Sequence, residues 1–251
     1  MGRFFIIVLA AVFSLKMLVP AFADDFTAAQ KTQLEELIHN YLMDHPEIMR
    51  DMASKLDASD KLADETKRFT NLKSMASEIF HNPADAVVGN SKGDVTIVEF
   101  MDYNCGWCKK SVKEMQSLVG ADKKVRVVMK EFPIFGAGSE YAARAALASV
   151  KQGKYWKFHQ ALFASENKIT PEVTDQIATE QGLDVAKMKA DMKDPAIDTA
   201  VQKNQALATA LAFTGTPAFI VDSQVIPGYA PLDNLQATLA SVRANGGCKI
   251  C

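Results

Sequence analysis

Two thiols stand two residues apart at Cys105 and Cys108, in the stretch FMDYNCGWCKK, and a second pair stands at the same spacing at Cys248 and Cys251. Pairs at this spacing can exchange disulfides, ligate a metal, or simply cross-link the chain. The reactive species is the thiolate, and a helix N-terminus favours an anion through its free N–H groups and its dipole. Cys105 falls where an apolar run ends and a helical pattern begins; Cys108 falls one turn inside. Cys105 is therefore expected to be the exposed attacker of low pKa, and Cys108 the buried partner that resolves a mixed disulfide. A bridge closing so short a loop removes little unfolded-state entropy, which argues against a staple. A four-thiolate zinc site would have to recruit the second pair across 139 residues, whereas ribbon-type sites space their pairs by about 15 to 20. No metal is assigned. Lys109 and Lys110 add charge nearby but read as solvated helix residues.

The elements that must position these thiols are legible around them. VTIVEFMDY, from Val95 to Tyr103, is β-branched and apolar on both faces over most of its length, as a central strand requires. A helix from about Cys105 to Val119 follows, then a strand, VRVVMKEF; a β-α-β unit of this kind makes the two strands parallel through a right-handed crossover. Residues 138–212 read as almost all helix. TGTPAFIV and QVIPG return to strand character about a turn at Asp222-Ser223, and PLDNLQATLASVRA makes a last amphipathic helix with Pro231 at its first turn. Ahead of all this, residues 26–80 carry helical periodicity with narrow apolar stripes, through Leu34, Leu37, Ile38, Tyr41 and Leu42, then Ile48, Met49, Met52 and Leu56, then Leu62, Phe69, Leu72, Ala76 and Ile79. Such an arm buries its stripe either on its own catalytic domain or against another copy of the chain.

The first 23 residues, with Arg3, the apolar run Phe4–Phe13 and the closing Ala21-Phe22-Ala23, read as a secretory signal peptide cleaved after Ala23. Of 28 basic residues two, Arg3 and Lys16, lie in that leader, so 26 basic residues face 30 acidic ones after cleavage, a net of −4. Nothing in that balance attracts nucleic acid or an anionic membrane. Export would place all four cysteines where disulfides persist. The expected organisation is a signal peptide over 1–23, a helical arm over 24–82 that is a candidate oligomerisation element, and a catalytic domain over 83–251.

Four blocks in order, VTIVEFMDYNCGWC, KEFPIFGAGSEYAARAAL, KYWKFHQALF, and GTPAFIV with VIPGYAPLDNL, resemble the thioredoxin-fold thiol-disulfide oxidoreductases of the bacterial periplasm, in their DsbA-like branch. The resemblance covers about residues 85–245. It implies an α/β thioredoxin fold with a helical insertion, a cis Pro217 beside the thiols, and a backbone at Thr216 that pairs with an extended substrate segment. It also implies a buried acid on the strand before the thiols, and Glu99 falls there. A carboxyl is costly to bury unless it acts, and proton transfer with Cys108 is its expected use; the bland alternative is a Glu that reaches solvent. Trp107, between the thiols, is counted with Thr216 and Pro217 as substrate-binding. The dipeptide Gly106-Trp107 lacks the imidazole of the Cys-Pro-His-Cys oxidases, which implies less thiolate stabilisation and a less oxidising couple. With Thr216 before the proline, this looks more like the disulfide isomerases and reductases of that compartment. ScsC-like members carry an N-terminal helical arm that makes them oligomers, which residues 26–80 would suit.

The expectation is thus a periplasmic protein disulfide oxidoreductase, biased toward isomerase or reductase, that needs no cofactor. Its partners would be exported proteins with cysteines, a membrane redox protein that resets the dithiol, and other copies of itself. The alternatives are a copper-binding protective protein using the same thiols, or a monomeric dithiol oxidase. His39, His45, His81 and His159 are scattered and read as surface or packing residues; Trp156, Phe158 and Phe163 read as filling the insertion. Cys248 and Cys251 are read as an exposed disulfide, with a second exchanging pair or a Cu(I) site as the other options.

Overall fold

In the computed structural model, described here for residues 26–251, the chain falls into two compact units, one ending at Ser59 and one running Asp60–Cys251. The expected signal peptide lies outside the described residues. The first unit is helical. Helix α1 (Ala28–Asp44) starts from a capping box, in which Gln30 N–H donates to Thr27 Oγ1 at 3.3 Å and Thr27 N–H to Gln30 Oε1 at 2.9 Å. It buries no residue, and Leu37, Ile38 and Tyr41 are all exposed. Helix α2 (Pro46–Ser74) opens on a proline, where the missing N–H costs little, and runs without a break across the end of this unit.

The second unit is built on a five-stranded sheet in the order β1-β3-β2-β4-β5. β2 (Val95–Met101) and β3 (Val125–Glu131) are parallel, joined through α4 (Gly106–Ala121). β1 (Ala86–Gly89) adds antiparallel to β3, and β4 (Ala218–Val221) antiparallel to β2; β5 (Gln224–Pro227) closes the other edge. Between β3 and β4 come five helices: α5 (Ala137–Ser149), α6 (Tyr155–Ala164), α7 (Pro171–Glu180), α8 (Val185–Asp191) and α9 (Pro195–Ala210). α10 (Leu232–Ala244) ends the fold, with Pro231 at its N-cap. This is a thioredoxin fold carrying a helical insertion.

Both faces of the sheet are covered, which is why β2 is buried at every position. Strand periodicity divides it: Val95, Ile97 and Met101 join a core shared with α4, α5, α6 and α10, whereas Val98 and Phe100 join a second core on the opposite face. That second core also holds Leu72 from the end of α2 and Ile79 and Phe80 from α3 (Ala76–His81), each no more than 1% exposed. Residues 60–81, placed in the arm by their sequence pattern, thus group with the catalytic unit. Lys130 anchors α3 there: its buried ammonium donates to Glu78 O at 2.7 Å and pairs with Asp85, and both side chains are fully shielded from solvent.

Candidate active site

Cys105 is the N-cap of α4, and its sulfur accepts the N–H of Cys108 at 3.4 Å, so the helix end is held by the thiol itself. The register of β4 on β2 sets Ala218 beside Phe100. Two residues earlier, Thr216 therefore reaches the end of β2, where the Cys105 thiol donates to Thr216 O at 3.2 Å. The Thr216–Pro217 bond is cis. The Cys105 pKa is lowered to about 6, first by the hydrogen bond with Cys108; burial opposes this, and Thr216 and the backbone N–H groups of Cys108 and Trp107 add to it. The Thr216 hydroxyl is buried without a hydrogen-bond partner among the described residues. Burial pushes the Cys108 thiol far up, reinforced by its hydrogen bond and charge interaction with Cys105.

Glu99 sits between Ile97 and Met101 in the strand alternation and so faces α4. It is 3% exposed, which removes the solvent-facing alternative, and accepts the Ser111 hydroxyl at 2.8 Å from one turn beyond Cys108. Burial raises its pKa to about 7; the Ser111 hydrogen bond pulls the other way and the Cys105 charge adds to the rise. Cys105, expected to be exposed, is only 5% exposed and Cys108 1%, because the Thr216–Pro217 segment and α4 close over the first thiol as well. Two buried thiols and a carboxyl that changes charge near neutrality thus share one face of the sheet.

Trp107 is 59% exposed, with its ring 5.5 Å from that of Tyr229. Lys110 is exposed, as a solvated helix lysine should be, and its Nζ also lies over both rings, 5.5 and 4.5 Å from their centroids. The Lys109 ammonium donates to Ser165 O, tying α4 to the loop after α6.

Several supporting residues carry no signal in the sequence pattern. Asp102 is buried and uses both oxygens: Oδ1 accepts Asn104 N–H and the Ser139 hydroxyl, each at 2.7 Å, and Oδ2 accepts Ile134 N–H at 2.7 Å and Phe135 N–H at 3.0 Å. It thereby ties the thiol loop to the start of the insertion. Asn104 exchanges two hydrogen bonds with the Ile169 backbone, at 2.9 and 3.0 Å. Gly138 makes room for this, because a Cβ there would lie 2.3 Å from Ile169 O. Below the loop, Tyr103 and Tyr155 both donate to Glu131 Oε1 at 2.9 Å, and His159 Nδ1 lies 3.1 Å from the Tyr103 hydroxyl. Burial holds the Glu131 pKa well up and lowers that of His159 to about 3, so the imidazole is neutral at pH 7.

Cys248 and Cys251 are joined as a disulfide, but it is half-buried rather than exposed, because Ile250 and Cys251 rest on the second core. Asp222 Oδ1 secures the segment, accepting Lys249 N–H at 2.7 Å and Ile250 N–H at 2.9 Å. Asp222 with these two sulfurs is a group with metal-ligand spacing among the described residues, but the disulfide occupies both sulfurs. The two Cys-x-x-Cys pairs are not brought into one site, since Cys105 and Cys108 are free thiols on the other core.

Residues 96–240 match the DSBA-like thioredoxin domain. The chain belongs to the DsbA-like thioredoxin family. Its N-terminal residues 30–62 match the N-terminal domain of the copper resistance protein ScsC. Among solved structures, a thioredoxin-like oxidoreductase from Silicibacter pomeroyi DSS-3 is 43% identical with a TM-score of 0.66, over 67% of this chain and 97% of that one. Disulfide bond formation protein D of Bacillus subtilis (strain 168) is 26% identical over 61% of this chain and 74% of its own. The Na(+)/H(+) antiporter NhaA of Herminiimonas arsenicoxydans is 28% identical over 63% of this chain; the chain spans about a quarter of the length of the curated antiporters it matches, 26% of this one. The DsbA-like family is one of thiol-disulfide oxidoreductases. No described helix is long and apolar enough to cross a membrane.

Proposed function

We propose that this protein is a periplasmic thiol-disulfide oxidoreductase that reshuffles or reduces disulfides in exported proteins. The observation that carries the reading is the lowered pKa of Cys105 at the N-terminus of α4, in hydrogen-bond contact with Thr216 O, above a Cys108 thiol that burial keeps protonated. Cys105 attacks a substrate disulfide as thiolate: its sulfur bonds to one substrate sulfur while the other leaves as thiolate and takes a proton. Cys108 gives its proton to Glu99 and attacks Cys105, which releases the second substrate thiol and closes the Cys105–Cys108 disulfide. Run backwards, the steps transfer a disulfide to the substrate, and the net direction follows the couple's potential. Thr216, cis Pro217 and Trp107 hold the substrate segment.

The isomerase bias rests on Gly106-Trp107, which supplies no imidazole to the thiolate, and on an arm whose exposed Leu37, Ile38 and Tyr41 suit self-association. A membrane redox partner resets the dithiol. The test is the Cys105/Cys108 reduction potential together with refolding of a scrambled disulfide substrate. A moderately reducing couple with refolding activity is the expected result; a strongly oxidising couple without refolding rejects the isomerase reading. A second reading is favoured by the match of residues 30–62 to a copper resistance protein: Cys105 and Cys108 would hold Cu(I) as soft thiolate ligands. Stoichiometric Cu(I) binding that is lost in Cys105→Ser would support it.

A further inference from the structure

The Cys105 thiol opens on a cleft of about 400 Å³ whose walls include Phe135, Lys109 and Lys168. Across Gly106 and Lys109 a second cleft, about 470 Å³, continues along α4 past Lys110 and Lys113. Four lysines line this strip. The one acid lining it is Glu166, shared by both clefts, and Glu114 lies just behind, engaged by the Tyr229 hydroxyl at 2.6 Å. The whole chain carries a net charge of −2, so the surface beside the nucleophile has the sign opposite to that of the protein. Lys110 is held in place over Trp107 and Tyr229, which sets a cation at the rim of the thiol pair.

From this charge reversal we infer that the strip selects extended peptide segments with acidic residues near the reacting cysteine. The inference rests on the thiol-disulfide reading and names its substrate class. A cleft rimmed by one sign of charge raises the local concentration of the opposite sign and speeds encounter. Two connected clefts suit several residues on either side of a cysteine better than a single small thiol.

The test uses the full chain with Cys108→Ala and its Cys248–Cys251 disulfide intact, so that Cys105 is the free thiol, and three cysteine peptides of equal length, flanked by Asp, by Ser or by Lys, each activated as a pyridyl disulfide. Cys105 attacks the peptide sulfur, the new peptide–Cys105 disulfide forms as the old bond breaks, and the pyridine thione released is read by absorbance. The expected result is an acidic peptide about tenfold faster than the basic one at low ionic strength. That gap should close near 1 M salt, where the Debye length falls to about 3 Å. It should also invert in the variant carrying Lys113→Glu and Lys168→Glu, both exposed positions outside the thiol machinery. Equal rates for the three peptides, or a gap that survives salt and charge reversal, would overturn the inference alone. Activated glutathione reacting as fast as the acidic peptide would overturn its peptide length. If no peptide reacts, the thiol-disulfide reading itself fails and the inference falls with it.

Discussion

Glu99→Gln separates the carboxyl's burial from its shape. In the folded chain burial raises the Glu99 pKa from 4.5 to about 7. Below about pH 4.5 the group is neutral in both the folded and unfolded states, and the stability it contributes is fully present. As the pH rises, the unfolded chain releases a proton that the folded chain keeps, so stability drains away until the folded group also ionises near pH 7. At 1.36 kcal/mol per pH unit the total loss is about 3 kcal/mol. The glutamine carries no proton to lose, and its carbonyl can still accept from Ser111. An amide N–H left without a partner would cost about 1–3 kcal/mol at every pH. The diagnostic quantity is therefore the change in the variant-minus-native gap between pH 4 and pH 8, expected at about 3 kcal/mol in favour of the variant at pH 8. Guanidinium unfolding of the oxidised proteins measures it without a thiol titration. The emission of Trp107 and Trp156 reports on the catalytic unit alone, because both tryptophans of the chain lie in it. In the reduced enzyme the same change should slow resolution of a mixed disulfide on the order of 10²-fold, through loss of the proton acceptor. A gap that does not move with pH refutes the claim that burial suppresses the Glu99 charge, and with it the proposed proton transfer.

Alkylation of Cys105 should follow a midpoint near pH 6, and Cys108→Ala should move that midpoint upward, because the Cys108 hydrogen bond is the largest influence lowering it; a native midpoint near 9 contradicts the helix-cap account. Lys130→Met leaves Asp85 buried without its cation and should destabilise the catalytic unit by about 3–5 kcal/mol, whereas Lys130→Met with Asp85→Asn should recover most of that loss. Thermal unfolding of the single and double variants reads the difference, and equal losses would show that the ion pair is not what holds α3. Deleting residues 24–59 should reduce an oligomer to a monomer by light scattering while preserving Leu72, Ile79 and Phe80 in the second core; an unchanged mass rejects self-association through the arm.

The β2-α4-β3 unit was legible in the sequence because its signals are local: an apolar run, a thiol pair where a helix begins, and a second apolar run. β1 was not, since AVVG is too short to show a period and exists by pairing with β3. Glu99 could be placed through the resemblance, which implies a buried acid on the strand before the thiols. Asp102 could not, because its partners Ser139, Ile134 and Phe135 come from more than thirty residues away. The same applies to Glu131, which looks like one more charge on a strand until Tyr103 and Tyr155 close over it.

The arm shows where periodicity stops discriminating. Phe69 and Leu72 lie on one continuous helical stripe, yet Phe69 is 46% exposed and Leu72 1%. A stripe records that a helix has an apolar face; what covers that face is a fact about other elements. Lys110 makes the same point for charge. Beside a thiol pair it reads as a solvated helix lysine, and only Tyr229, brought alongside from beyond the last strand, holds it over Trp107. The thiol reading came from neighbours in the chain, whereas the place Lys110 takes over the two rings depends on Tyr229, which the sequence keeps far from it.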